Sequence, residues 1–284
     1  MNDIFKTIEE YKNEFIDVLK KNKTHFDSKL TEYSTPSNNF KIKYFKWQHP
    51  YQGNHEYDEI FTDGILSYLS TIIKPHNVVI DVGAQVGLMS VSYAQFANKV
   101  ISFEPNPAAF EVLNKNCELY NNIVTYNFAC STEESSLQFH YSDEGLCNGG
   151  FATNCEKGIG VTGHVIPIDV YAVNLNDFLN KYHKDDIKNI SLIKTDTEGH
   201  DKDVLKTIYP IIQSVRPILF SELYPDLTEN EVKDLIKTIK DVSYKIYDIN
   251  KNNAGMWNEN YRKEINSIND VRVGQLCNLL CIPV

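Results

Sequence analysis

The sequence predicts an α/β protein built on a mostly parallel sheet with helices on both faces. Three observations predict it. Strand-like and helix-like segments alternate as β, α, β, α, β between residues 77 and 129. The connections between them are short, as parallel units with crossover helices require. The opening segment VVIDVG is a continuous aliphatic run broken by glycine, as expected of a strand buried on both faces.

Each element has its own signal. Residues 3 to 30 read as a helix, because Ile4, Ile8, Tyr11, Phe15 and Val18 recur at spacings of three and four. That stripe is expected to pack on its own domain or to pair two copies as a homodimer. STPSNN at 34 to 39 is a turn, and FKIKYFKW at 40 to 47 alternates like a half-exposed strand. Residues 1–50 thus form a helix-and-strand extension to a main domain over 51–284. Residues 58 to 73 suit an amphipathic helix ending before Lys74-Pro75. After the strand at 77 to 82 and its glycine turn, LMSVSYAQFAN suits a helix, and KVISFE at 99 to 104 is the second buried strand. Asn106-Pro107 starts a helix with a cap and a first-turn proline. Phe110, Leu113, Cys117 and Tyr120 form its buried face. NIVTYNFA at 122 to 129 is the third strand.

Beyond it the pattern loosens. SLQFHYS at 136 to 142 reads as a strand. EGLCNGGFATNCEKGIGVTG at 144 to 163 is too long for an ordinary connection and reads as a loop insertion that shapes a substrate site. SLIKT at 191 to 195 resumes the sheet. The following helix meets Pro210, which kinks or ends it. PILFSEL at 217 to 223 is a strand, and Thr228 with Glu231 forms a capping box. SYKIYDI at 243 to 249 and QLCNLLCIPV at 275 to 284 complete the strands.

Composition narrows the function. With 284 residues and 42% hydrophobic content, a large core is affordable. The formal net charge of -10 argues against a nucleic-acid partner, and the one dense lysine cluster, Lys20, Lys21 and Lys23, is small. No apolar run is long enough for a membrane span, and the first residues have no leader-like apolar stretch. The six cysteines include no CxxC pair and read as reduced thiols of a cytoplasmic protein.

The chemistry concentrates at two places. The turn Gly83-Ala84-Gln85-Val86-Gly87 lacks the middle glycine of the dinucleotide fingerprint, through which a backbone approaches a pyrophosphate. Asp81, at the end of the first strand, would repel a phosphate and attract an ammonium. Glu104, at the end of the second strand, sits where nucleotide-binding α/β folds place the acid that takes ribose hydroxyls. An adenosine ligand carrying an amino acid and no phosphate fits both, and S-adenosyl-L-methionine is such a ligand. The second place is TDTEGHDKD at 195 to 203. There Asp196 ends the fourth strand at the rim where open α/β sheets bind ligands.

IDVGAQVG, FEPNP, LIKTDTEGHDKDVL and RPILFSE, in this order, resemble the successive blocks of the FkbM-type S-adenosylmethionine-dependent methyltransferases. The resemblance runs over roughly residues 57 to 223. It implies the class I methyltransferase fold, a Rossmann-like, mostly parallel seven-stranded sheet with an antiparallel last strand. It also implies a cofactor site made of Asp81, Gly83, Ala84, Gln85, Gly87, Glu104, Pro105 and Asn106, with Ala129 and Cys130 near the adenine edge. Three positions depart from the family pattern: Gln85 stands for its usual Asn, His200 for an acidic residue, and Asn176 for an Asp.

Methyl transfer to a hydroxyl needs the acceptor held in line and its proton removed. Asp196, Glu198, His200 and Glu222 are the candidates for that work. Glu198, Asp201 and Asp203 also suit the first turn of a helix, where negative charge is favourable. Magnesium held by Asp196, Glu198, His200 and Glu222 is a possible but not favoured addition. The acceptor class expected is a small molecule or glycan. The alternatives are a scaffold that keeps the fold without catalysis, or an NAD-dependent oxidoreductase.

Overall fold

In the computed structural model, the described residues are 12–13, 15–21, 25–49, 61–142, 149–151, 165–249, 255 and 258–284. The strands β3 (Val78–Val82), β4 (Lys99–Phe103), β5 (Ile123–Tyr126), β10 (Ile190–Thr195) and β11 (Ile218–Leu223) form the parallel centre of the main sheet. Before them lie β1 (Ser28–Ser34) and β2 (Lys41–Trp47). Between β5 and β10 come β6 (Ala129–Ser131), β7 (Ser135–Ser142), β8 (Gly149–Phe151) and β9 (Val165–Asn174). The chain ends with β12 (Tyr244–Asp248), β13 (Lys263–Glu264) and β14 (Cys277–Pro283). The main sheet has the order β13-β12-β14-β11-β10-β3-β4-β5. Apart from the two-residue edge strand β13, this is a seven-stranded sheet whose last strand, β14, inserts antiparallel between β11 and β12. It is the class I methyltransferase arrangement that the sequence predicted.

The order places the site. From β3 the chain winds outward to β4 and β5, then returns to β10 on the other side of β3. The sheet therefore reverses direction between β3 and β10, and the crevice at their carboxyl ends is where such folds bind ligands. All five β3 residues are buried, because helices cover both faces. The helices are α1 (Asp63–Ile72), α2 (Leu88–Ala94), α3 (Pro107–Glu118), α4 (Leu175–Tyr182), α5 (Asp201–Thr207), α6 (Tyr209–Val215) and α7 (Glu229–Lys240). One core packs α1 and α2 against one face, and the other packs α5, α6 and α7 against the opposite face.

Local sequence sets the helix starts. Asn106 caps α3 by accepting from Ala108 N at 3.0 Å, with Pro107 in the first turn. Thr228 and Glu231 form the expected capping box on α7. Pro210 does break the helix after β10: α5 ends at Thr207, and α6 begins at Tyr209.

Several expectations are corrected. The last residues of the predicted N-terminal helix, 28–30, belong instead to β1, which pairs antiparallel with β2. Residues 15–21 are helical, and their buried face is Phe15, Ile16 and Leu19. Val18, placed on the apolar stripe, is 43% exposed. Ile4, Ile8 and Tyr11 lie outside the described residues. The predicted third strand splits at Asn127, and Ala129 and Cys130 belong to β6, which joins a second sheet of order β6-β9-β7-β8. That sheet and β9 were not anticipated. Of the predicted loop insertion at 144–163, residues 149–151 form β8 on β7, and the remainder lies outside the described residues. Among the described residues, no helix is long and apolar enough to cross a membrane.

One buried side chain ties the N-terminal hairpin to the glycine turn. Asn116 of α3 accepts from Phe45 N, and its amide donates to Val86 O at 2.7 Å and Phe45 O at 3.3 Å. It has no exposed surface. Asn116→Ala leaves the buried Val86 carbonyl unbonded and frees the half-buried Phe45 backbone, which costs roughly 1–3 kcal/mol for the buried group. Urea unfolding of the variant checks this, and a loss under about 0.5 kcal/mol would contradict the link.

Candidate active site

The site begins with a row of side chains across the sheet. Register pairs Ser102 of β4 with Asp81 of β3, Asp81 with Lys194 of β10, and Lys194 with Phe220 of β11. Cross-strand partners share a face, so Ser102, Asp81 and Lys194 stand side by side under α2. Asp81 is fully buried. Ser90 Oγ donates to its Oδ2 at 2.5 Å and lies 2.8 Å from Ser102 Oγ. Lys194 Nζ stands 3.4 Å from Asp81 Oδ1 and 3.5 Å from Asp196 Oδ2, and donates to Gly83 O at 2.8 Å. Burial by itself would lower the Lys194 ammonium. The Asp81 and Asp196 carboxylates together outweigh it and hold the group above the usual lysine range.

The sequence argument set Asp81 against the ligand's ammonium; in the structure its carboxylate lies beneath the turn, with Ser90 on Oδ2 and Lys194 facing Oδ1. Lys194 was missed altogether. The signal was present in SLIKT, since a lysine inside a strand buried on both faces needs a carboxylate partner.

Above that row sits the glycine turn. Four of its five amides, all but that of Val86, are already used. Gly83 N and Ala84 N both donate to Phe103 O at 3.0 Å, and Gly87 N donates to Ala84 O at 2.8 Å. Gln85 N donates to Glu104 Oε2 at 2.7 Å. A pyrophosphate cradle needs such amides pointing outward and unbonded. Gly83 has φ +73°, and a Cβ there would lie 1.8 Å from Asp196 O, so the β3 turn meets the end of β10 at a point only glycine fits. Gln85 sits at φ 51°, a left-handed conformation in which the family's usual Asn is easier.

Glu104 is 6% exposed and lies beside that turn, at the end of β4. Its Oε1 accepts from Asn106 N at 2.7 Å, so each oxygen takes one backbone N–H and keeps lone pairs for a ligand. Burial raises its carboxyl to about 7, against the opposing pull of the Asn106 and Gln85 amides. Asn127, at the end of β5, donates to Glu104 O at 2.8 Å and to Pro105 O at 3.1 Å. Ala129 and Cys130, expected near the adenine edge, lie in β6 with their side chains buried, one in each core.

The carboxylate group at the other rim is only partly as expected. Asp196 ends β10 with its side chain 46% exposed. Glu198 lies outside the helix, in a turn at φ 54° before Gly199. Asp201 begins α5 and closes that turn by accepting from Thr197 N at 3.1 Å and Thr197 Oγ1 at 2.8 Å. His200 precedes α5, and burial moves its imidazole below the usual histidine range. Glu222 is 8% exposed. Burial first, then the charges of Asp196, Glu198 and Asp201, push its carboxyl up to about 10. Among the described residues no group of three or more His, Cys, Asp or Glu is arranged to hold a metal ion. The four described cysteines, Cys117, Cys130, Cys277 and Cys281, are free thiols.

With this geometry in place, the comparisons with known proteins are decisive for the family. Residues 81–246 match the methyltransferase FkbM domain. The chain belongs to the FkbM methyltransferase family. The methyltransferase sdnD of Sordaria araneosa is 26% identical over 182 residues, which cover 54% of this chain and 67% of that one. The hexuronic acid methyltransferase AglP of Haloferax volcanii is 23% identical over 165 residues, covering 58% and 63%. This family member thus spans roughly two thirds of the length of these relatives. The crystal structure of an FkbM methyltransferase from Methylobacillus flagellatus superposes with a TM-score of 0.43 at 12% identity, over 76% of this chain and 50% of that one.

The Glu222 carboxyl makes a pH prediction. Its folded value of about 10 lies above the ordinary 4.5, so the folded protein keeps a proton that the unfolded chain has lost. The associated stability is fully present below about pH 4.5 and is lost as pH rises through about 10. Glu104 finishes the same change near 7, so above pH 7.5 the slope isolates Glu222. Between pH 7.5 and 9 the wild type should lose up to about 1.4 kcal/mol per pH unit more than Glu222→Gln in urea unfolding. Equal slopes would show that Glu222 is ionised.

Proposed function

We propose that the protein is an S-adenosyl-L-methionine-dependent O-methyltransferase that acts on a hydroxyl of a glycan or secondary metabolite. One observation carries the reading within the family. The glycine turn spends four of its five amides internally and presents a buried carboxylate at the strand end next to it. Of that turn's amides only Val86 N–H is left for a diphosphate, and Glu104 offers two oxygens to a ribose diol. An adenosyl ligand without phosphate suits both.

The residues divide the work. Gly83, Ala84, Gln85 and Gly87 give the turn its close approach to the β10 end. Glu104 binds the ribose, with Pro105, Asn106 and Asn127 fixing its backbone. Asp81 and Lys194 hold the turn from below and set the charge of its floor. Bound S-adenosylmethionine supplies a methyl group on a sulfonium, which leaves as a neutral thioether when oxygen takes the methyl. Asp196, exposed at the rim, takes the proton of the acceptor hydroxyl. The relatives sdnD and AglP carry the name of methyltransferases, and AglP that of a hexuronic acid methyltransferase, which supports methyl transfer and an acceptor of the sugar class.

The test uses S-adenosylhomocysteine, the product of the donor. Ribose hydroxyls favour ionised Glu104, so binding releases a proton where Glu104 is protonated in the free protein. Affinity should rise with pH up to about 7 and level above it. Calorimetric titrations in buffers of different ionisation enthalpy measure that release. Glu104→Ala should weaken binding by about 2–3 kcal/mol, or roughly 100-fold. Unchanged affinity in the variant would remove Glu104 from the ribose site.

A further inference from the structure

Beside Asp196, on the face covered by α1 and α2, lies a cavity of about 130 Å³. Its polar lining includes Tyr93 of α2, Lys194 and Asp196 of β10 and its end, and Glu222 of β11. Ile65 and Ile249 contribute apolar wall. Two of these residues carry buried polar atoms without a partner, the Tyr93 hydroxyl and Glu222 Oε2. Tyr93 has no exposed surface, and the charges near its phenol are the carboxylates of Asp81 and Asp196. In an ordinary core such groups are bonded, so a hydroxyl kept here without a partner is a cost that phenylalanine would avoid. Both orphans border one cavity, and that cavity opens at the rim next to the exposed base.

We propose that Tyr93 and Glu222 form the acceptor subsite, donating hydrogen bonds to an uncharged, polyhydroxylated acceptor and holding one of its hydroxyls beside Asp196. The proposal rests on the methyltransferase reading above and adds the residues that choose the acceptor. Charge sets the class. Lys194 is the cation that acts on Glu222, while Asp196, Glu198 and Asp201 act on it from the acidic side. Lys194 is already engaged by Asp81, Asp196 and Gly83 O. A carboxylate entering the cavity meets net negative charge with no spare cation. A neutral sugar meets a phenol and a protonated acid, both donors. The exclusion of anionic acceptors sets this chain apart from a relative that acts on hexuronic acid.

Two readouts test it. First, thermal unfolding of the ligand-free protein compares wild type with Tyr93→Phe. Removing an unbonded hydroxyl should raise the midpoint by about 2 °C or more, whereas a hydroxyl with a structural partner would give a drop. Second, saturation-transfer NMR on protein loaded with S-adenosylhomocysteine uses methyl α-D-glucopyranoside and D-glucuronate as probes. The glycoside should bind the wild type at least tenfold better than glucuronate. Tyr93→Phe and Glu222→Leu, which each remove a donor, should each weaken the glycoside at least fivefold, with S-adenosylhomocysteine affinity within twofold of wild type. A lowered midpoint in Tyr93→Phe with glycoside binding intact would make Tyr93 structural and overturn the subsite. Equal binding of glucuronate, or no binding of the glycoside, would overturn the acceptor class. Failure of the wild type to bind S-adenosylhomocysteine would instead sink the methyltransferase reading, and is read separately.

Discussion

The buried ion pair between Asp81 and Lys194 is the constraint on which the rest of the structure depends. Two charges so far from water are costly, and either left alone would be costlier. Their pairing is possible because β3 and β10 are neighbours in register, which follows from the reversal of the sheet at this point. Lys194 then reaches further, to Gly83 O and Asp196, so one ammonium joins the strand end, the glycine turn and the reactive rim. The turn cannot shift without loosening the rim, and the crevice between them is preorganised.

That preorganisation explains the division of labour among the acids. Asp81 is buried and bonded, and supports. Glu104 is buried with both oxygens half-used, which leaves it able to take a diol. Asp196 is exposed and ionic, in reach of an acceptor proton. Glu222 is buried among other carboxylates and stays protonated, which turns an acid into a hydrogen-bond donor. Four carboxyl groups of one sequence thereby sit in four different environments, and the proposed division of tasks rests on those environments rather than on residue type.

Much of this was legible in the sequence. VVIDVGAQVG and SFEPNP gave the strand ends and the turn because glycine, proline and capping residues act locally. The parallel order and the break at Pro210 followed from spacing and backbone chemistry. The family blocks located Asp196 and Glu222. The missed features are those set by tertiary packing. Residues 129–131 leave the main sheet to pair with β9, and no local signal at Asn127 says which sheet comes next. Asp81 faces inward because register brings Lys194 and Ser102 alongside it, a fact about neighbours rather than about DVG. Tyr93 looked like one more apolar helix residue, and its unbonded hydroxyl is visible only in three dimensions.

The central claim is that the glycine turn, with all of its amides but that of Val86 spent, is built for an adenosyl ligand without phosphate. Calorimetric titration of the pure protein with S-adenosylhomocysteine and, separately, with NAD tests it most directly. The account predicts a micromolar dissociation constant, about 8 kcal/mol of binding free energy, for the first and no measurable heat for the second. Binding of NAD at comparable affinity would contradict it, because a diphosphate would then have found donors that this turn does not offer.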